Sequence, residues 1–323
     1  MDRHTMDRES LENFINLVIP YLKNKPVLRD IKKSPVLYVG DIHGNYQDLQ
    51  NAFAIANKKK VSTIVFLGDY VDRGSEQLRT LIKVMDAFAR SEGYSKYGIV
   101  NDFIDEQKYP YLVIALKGNH EDIEINQKYG LKEELVNIHG FRTFPKLLLQ
   151  LLYAHLPLVA RTRWKTLAVH GGIPLPDRHE KVSEIMKHLD TKRTPLFIDY
   201  TEESEIELGK GIYQLLWNDP VNGIDKNLLK FTPSFRGYGI YNFNKAALID
   251  FLQNNGYKRL VRAHETVKEG GKVLWDNVLI HIFSTSPYFG RIQNKGYFLE
   301  YDDGSGEILN GKGDKMITVD EII

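Results

Sequence analysis

Thr63-Ile64-Val65-Phe66-Leu67 runs straight into Gly68-Asp69-Tyr70-Val71-Asp72-Arg73-Gly74. The first five residues have the length and the β-branched, aromatic content of a buried strand, and the next seven stop it with glycine and charge. The same form occurs on either side. Pro35 to Val39 leads into Gly40-Asp41-Ile42-His43-Gly44, and Tyr111 to Leu116 into Lys117-Gly118-Asn119-His120-Glu121. Further along, Thr166 to Val169 leads into His170-Gly171-Gly172, and Arg259 to Val261 into Arg262-Ala263-His264-Glu265. Helical periods separate the first three runs: Leu49, Ala52, Phe53, Ile55 and Ala56, then Leu78, Leu81, Ile82, Met85 and Phe88. Strand and helix in alternation predict βαβ units with right-handed crossovers and a largely parallel central sheet. Ligands of such sheets bind beyond the carboxyl ends of the strands, where all five polar clusters fall.

Working outward, residues 8–24 read as an amphipathic helix on Leu11, Phe14, Ile15, Val18 and Leu22, with a kink or break expected at Pro20. From Val278 the pattern turns strand-like again, through Val278–Phe283 and Gly296–Tyr301. Asp302 to Gly306 then reads as a turn, with Glu307 to Leu309 a hairpin partner. Ser91–Tyr109 and Pro174–Lys210 lack a clear period and read as insertions (residues 91–109 and 174–210). No Pro/Gly/Ser-rich linker divides the chain, which predicts a single domain over 1–323 with residues 1–30 as a helical extension.

Composition narrows the chemistry. With 42% hydrophobic residues the 323-residue chain can bury a substantial core. Its 43 basic and 42 acidic residues leave a net charge of +1, without the positive field that non-specific nucleic-acid binding needs. The absence of cysteine excludes thiol nucleophiles, disulfides and zinc–thiolate sites. No apolar run approaches a membrane span, and the polar start Met1-Asp2-Arg3-His4 is unlike a signal peptide; a cytoplasmic protein without membrane partner is the expectation.

The strand ends collect Asp41, His43, Asp69, Asn119, His170 and His264. Six oxygen and nitrogen donors suit two divalent ions such as manganese, iron or zinc, and exceed what one ordinary protein site uses. Asp69 has an oxygen for each ion, and ions about 3.5–4 Å apart would clamp a phosphoryl group and acidify a shared water. Arg73 and Arg236 offer two-pronged contacts to the non-bridging oxygens of a phosphate monoester. His120 is placed to protonate the departing alkoxide, with Asp72 fixing its tautomer. Each residue alone has a plainer reading. Gly-Asp after a strand is an ordinary turn, Arg236 a surface cation, and Trp217-Asn218-Asp219-Pro220 a capped turn. His4, His139, His155, His179, His188 and His281 keep a structural reading. The conjunction of five polar strand ends argues for a metal site.

These segments resemble the phosphoprotein phosphatases, the metal-dependent Ser/Thr protein phosphatases. Gly40–Gly44 matches their G-D-x-H-G element, Gly68–Gly74 G-D-x-V-D-R-G, Gly118–Glu121 G-N-H-E, His170–Gly172 H-G-G, and Arg262–His264 R-A-H. Ile125–Gly130, Leu216–Pro220, Arg236-Gly237 and Ser284–Gly290 fall in family order too, so the resemblance spans about residues 35–300. It implies an α/β metallophosphoesterase fold, a central β-sandwich of mixed sheets flanked by helices. One ion would be held by Asp41, His43 and Asp69, the other by Asp69, Asn119, His170 and His264. Arg73 and Arg236 would bind phosphate beside Asn119, His120 would be the acid, Asp72 its orienter, and Tyr288 would border the cleft. The partner implied is a phosphorylated protein, with manganese supporting activity and iron and zinc as native alternatives.

The chain departs from the family pattern in longer connections between Gly74 and Gly118 and between Gly172 and Trp217, in Ile173-Pro174 after H-G-G, and in Glu265 after R-A-H. A hydrolase of dinucleoside polyphosphates or other small phosphoesters is the alternative, though such relatives usually lack an aspartate at position 72. A nuclease would carry paired histidines where Ala263-His264-Glu265-Thr266 offers one. An inactive phosphopeptide-binding scaffold would have lost a ligand or the acid, and none is lost.

Overall fold

The computed structural model describes residues 5–94, 109–176, 184, 187, 203–222, 229–290 and 294–321. Most of the two expected insertions lies outside the described residues. The chain opens with helix α1 (Arg8–Lys23), capped by Asp7, whose carboxylate accepts the Ser10 N–H. The helix runs unbroken through Pro20. Pro20 and Asn16, whose carbonyl loses its partner there, are both exposed, which leaves the freed group open to solvent.

Strands β1 (Leu28–Ile31) and β2 (Val36–Val39) lead to α2 (Tyr46–Lys58), β3 (Thr63–Phe66), α3 (Gln77–Ser91) and β4 (Leu112–Ala115). Helices α4 (Ile123–Tyr129), α5 (Leu131–Asn137) and α6 (Lys146–Ala154) follow, then β5 (Val159–Thr162) and β6 (Thr166–Ala168). Helix α7 (Glu203–Trp217) precedes the short strands β7 (Asp219–Pro220), β8 (Phe231–Pro233) and β9 (Tyr241–Phe243), which form a small sheet ordered β7-β9-β8. The chain closes with α8 (Lys245–Asn255), β10 (Arg259–Arg262), β11 (Gly271–Leu274), β12 (Leu279–Ile282), β13 (Gly296–Glu300), β14 (Gly306–Asn310) and β15 (Lys315–Val319).

Two six-stranded sheets, β15-β14-β13-β2-β3-β4 and β1-β5-β6-β10-β12-β11, form the sandwich. The first three polar runs follow β2, β3 and β4, which are mutually parallel as the alternating pattern predicts. Beyond β2 the sheet turns antiparallel through β13, β14 and β15. In the second sheet β10 is parallel to β6 and β12, while β5–β6 and β11–β12 are antiparallel. The expectation of a largely parallel sheet therefore holds for β2, β3 and β4 but not for the sheets as a whole, and the mixed sandwich is the right one. No helix separates β5 from β6, β11 from β12, or β13 from β14 and β15, and these tight connections force antiparallel pairing.

Period-two alternation fills both faces. Val36, Tyr38, Val65, Leu67, Ile114 and Leu116 point between the sheets and meet Ala168, Val261, Ile280 and Phe298. Leu37, Val39, Ile64, Phe66, Val113 and Ala115 point the other way, into a core with α1, α2, α3, α5 and α6. Helices α7 and α8 cover the outer face of the second sheet. Strands buried on both faces explain the continuous apolar runs of the sequence. Their carboxyl ends open on one edge of the sandwich.

Candidate metal centre

Sharp turns follow β2, β3 and β10, and they hold their side chains inward at a conformational cost. His43, Asp69, Asp72, Arg73 and His264 all have positive φ, between 47° and 72°. Side chains other than glycine rarely adopt that region, and such strain collects where surrounding structure enforces it for function. The turn after β3 also packs on the one after β4. A Cβ on Gly68 would lie 2.4 Å from the Gly118 nitrogen, and one on Gly118 2.2 Å from Asp69 Oδ1. Glu121 fixes this contact from beneath: its carboxylate accepts the N–H groups of Asp69 and Tyr70 at 2.9 Å and of Gly118 at 2.7 Å.

All six expected donors converge, and all are buried. Asp69 sits centrally, with Oδ2 3.6 Å from His43 Nε2 and Oδ1 3.4 Å from His170 Nε2. Asp41 Oδ2 lies 3.7 Å from His43 Nε2, while its Oδ1 accepts the His264 N–H at 3.0 Å. On the other side Asn119 Oδ1 is 2.8 Å from both His170 Nε2 and His264 Nδ1, which are 3.2 Å apart. Two overlapping groups of metal-type atoms result: His43, Asp69 and His120, and Asp69, His170 and His264, each within 4.8 Å.

The tautomers are set from outside. His43 Nδ1–H donates to the Val71 carbonyl and His170 Nδ1–H to that of Leu67, both at 2.9 Å. Each therefore turns an unprotonated Nε2 inward, the form that ligates metal. At most one proton, on His264, is then available among Asn119 Oδ1, His170 Nε2 and His264 Nδ1. Lone pairs face lone pairs, an arrangement a cation relieves. The protonation preferences tell the same story. Burial pushes the Asp41 carboxyl up to about 7, and burial together with Asp41 and Glu121 pushes Asp69 well above its usual range. Burial first, then neighbouring positive groups, hold His43, His170 and His264 well below theirs. Neutral imidazoles around charge-averse carboxylates are a donor set that fits two divalent ions.

Around this core stand the expected auxiliary residues. His120 Nδ1–H donates to Asp72 Oδ2 at 2.7 Å, and its ring lies edge-on to His43 with centroids 4.8 Å apart. Asp72 is itself held: Asn126 Nδ2 donates to Oδ2 at 2.9 Å and the Leu131 N–H to Oδ1 at 3.2 Å. Tyr153 completes the chain by donating to Asn126 Oδ1 at 3.0 Å. Arg73 stacks on Tyr129, 4.0 Å from the ring centroid, and reaches the Tyr288 hydroxyl. Tyr288 stacks on His43 at 5.3 Å, beside the donors as expected. Arg236 sits differently from a free phosphate ligand. It pairs with Asp219, whose other oxygen accepts from Arg262 Nη2 at 2.7 Å and lies 3.9 Å from His264 Nε2. Asp219 was thus more than part of a capped turn, and Asn126, Tyr153 and Asp219 are the partners that sequence reasoning missed. Asn126 lies in the Ile125–Gly130 echo and Asp219 in the Leu216–Pro220 one, which carried the available signal, while Tyr153 had none.

Of the histidines given a structural reading, His139 accepts from the Met6 N–H, His155 donates to Leu151 O, and His281 packs buried against Arg262 and Glu265. His4, His179 and His188 lie outside the described residues. Glu265 pairs with Arg262 at 2.6 Å, so the departure from the family's glutamine is absorbed by an ion pair. A depression of 340 Å³ between α4, α6 and α7 borders Asn119 and Trp217. A larger one of 810 Å³, lined by Lys32, Lys33, Lys60 and Tyr111, lies at the opposite end of the strands, away from the donors.

Comparison with known proteins bears on the fold and the family. A solved structure of a protein serine/threonine phosphatase from Saccharomyces cerevisiae, described as similar to human phosphatase PP5, superposes with a TM-score of 0.65. It covers 97% of this chain and 91% of that one at 20% identity, a likeness of fold. The family model for calcineurin-like phosphoesterases matches residues 34–268, well over half the chain and every donor found here. The chain belongs to the calcineurin-like phosphoesterases, which hydrolyse phosphoesters with divalent metal ions.

Proposed function

We propose that the protein is a phosphatase of the phosphoprotein type, removing phosphate from phosphoserine and phosphothreonine side chains. The pairing of His120 with a carboxylate at 2.7 Å, at the mouth of the donor cluster and near Arg73, is the observation that supports this most. A serine or threonine alkoxide is a poor leaving group and needs a proton as the P–O bond breaks, whereas an aryl oxide or a polyphosphate does not. Asp72 keeps the proton on Nδ1, and the imidazolium gives its Nε2 proton to the departing Oγ. Asn126 and Tyr153 hold Asp72 at the angle this transfer requires.

Asp41, His43, Asp69, Asn119, His170 and His264 would hold the two ions, which supply Lewis acidity and acidify the attacking water. We assign manganese as the ion that supports activity in vitro, with iron and zinc as native alternatives. Arg73, braced on Tyr129, binds the non-bridging oxygens. Arg236 exchanges its Asp219 partner for the phosphate, beside the Asn119 amide. A monoester dianion suits these two guanidiniums better than a diester. We read residues 1–323 as one domain, since α1 buries its apolar face in the same core as α2, α3 and α6.

His120 has a second reading, because ligand histidines are also backed by carboxylates and His120 shares a donor group with His43 and Asp69. The metal content of His120→Asn separates the two. The function itself is tested by a manganese-supplemented assay on phosphoserine, phosphothreonine and phosphotyrosine peptides, a dinucleoside tetraphosphate and a nucleic-acid diester. The first two are expected to be turned over fastest. Preference for the dinucleoside tetraphosphate would assign a small-molecule hydrolase instead.

A further inference from the structure

Five Tyr, Phe and Trp side chains are exposed among the described residues, and each lies beside a residue that borders the donor cluster. Tyr129 lies under Arg73 with its ring 5.7 Å from that of His120, and Phe289 lies 5.3 Å from Arg73 on the other side. Tyr213 tilts against Trp217, whose ring meets His264 edge-on at 5.6 Å. Phe235 and Tyr238 flank Arg236 in the turn between β8 and β9. These last two are 107% and 101% exposed, burying nothing against their own chain. Gly237 and Gly239 between and beside them have positive φ, and a Cβ on Gly239 would meet nothing within 4 Å.

Single apolar residues scattered on a surface are ordinary, but exposed aromatics gathered at one place mark a binding surface. They offer large, stiff contact area at little entropic cost, and they lie on both sides of the centre. A substrate no larger than a phosphate and its ester carbon would be enclosed by the donors and the two arginines and would leave Phe235 and Tyr238 untouched. A polypeptide extending from the phosphorylated residue would not.

We propose that Phe235 and Tyr238 form a docking surface for the polypeptide beside the phosphorylated residue and select apolar side chains there. The inference rests on the phosphoprotein reading and adds a sequence preference to it. It is tested with the double variant Phe235→Ser/Tyr238→Ser and three substrates: a small aryl phosphate, a phosphoserine peptide with Leu and Phe flanking the phosphoserine, and the same peptide with Ser and Gly there. Wild type should prefer the apolar peptide. The variant should lose about tenfold in kcat/KM on it, carried by KM, while the other two substrates change less than about twofold. A variant that keeps the wild-type preference between the two peptides overturns the docking role, as does an equal loss on all three substrates. A wild-type protein that hydrolyses the aryl phosphate but neither peptide rejects the phosphoprotein reading itself, and this inference with it.

Discussion

Strand β10 carries a buried charged cluster at each of its ends, and the two are built on opposite principles. At its start, Arg259 lies between the sheets and faces Glu300 of β13, 3.4 Å from Oε1. Tyr38 donates to Oε2 of the same carboxylate at 2.7 Å, Thr166 donates to Oε1, and the Asn277 and Asp320 carbonyls accept from Arg259. Beyond its other end, His264 joins Asp41, Asp69, Asn119 and His170, and the inward-facing atoms are nearly all acceptors. Strand β2 enters both, through Tyr38 within it and Asp41 just past its carboxyl end. Burial is equally deep in the two places. The first cluster satisfies its charges within the chain and contributes to holding the sheets together. The second leaves its donors mutually repelling, an arrangement that cations from outside would complete. Depth of burial therefore says little about function; the sign of what faces what says a great deal.

Substitutions should pull the two ends apart. Asp69→Asn is expected to abolish activity by roughly 10⁴-fold, about 5.5 kcal/mol of barrier, with loss of bound metal measured in parallel. The same change should leave the melting temperature of the metal-free protein equal or higher, because it removes a like-charge contact. His120→Asn should lower kcat about a thousandfold on phosphoserine peptides and far less on aryl phosphates, while metal content stays at the wild-type level. Glu300→Ala does the reverse. It strands a buried guanidinium and should cost about 3 kcal/mol of unfolding free energy in denaturant titration, with kcat per folded molecule unchanged. A Glu300 variant that lost activity without stability would erase the distinction drawn between the two ends.

Smaller effects test the supports. Asn126→Ala removes one donor from Asp72 and should reduce kcat about tenfold with metal content unchanged. For pH, ions compete with the proton on Asp41, whose carboxyl is pushed up to about 7. Apparent metal affinity should fall by up to about tenfold per pH unit below 7 and level off above it, followed by calorimetric titration at several pH values. A donor set indifferent to pH between 5 and 7 would mean Asp41 takes no part.

The donors were legible because each follows a strand end, and in a sheet of parallel strands those ends meet on one edge. The run preceding Gly40, the run preceding Gly68 and the run preceding Gly118 all became adjacent strands, β2, β3 and β4. The supporting residues were harder to read. Asn126 reaches Asp72 from one helix and Tyr153 reaches Asn126 from another, and a polar residue within a helix looks alike whether it faces water or a carboxylate. The Arg259–Glu300 pair joins residues 41 positions apart, with no motif to tie them. The break that Pro20 could have imposed does not occur, because α1 is anchored by apolar contacts on both sides of it, Val18 and Leu22 among them, and the freed carbonyl lies on the exposed face. The small sheet of β7, β8 and β9 has strands of two or three residues, too short to show any period.

The claim on which the rest depends is tested most directly by titrating metal-free protein with manganese while following phosphoserine peptide hydrolysis. Two ions bound per chain, with activity appearing as the second binds and both lost in Asp69→Asn, is the predicted result. A chain that binds no manganese, or an Asp69→Asn variant that binds two ions and still turns over phosphoserine, would contradict it.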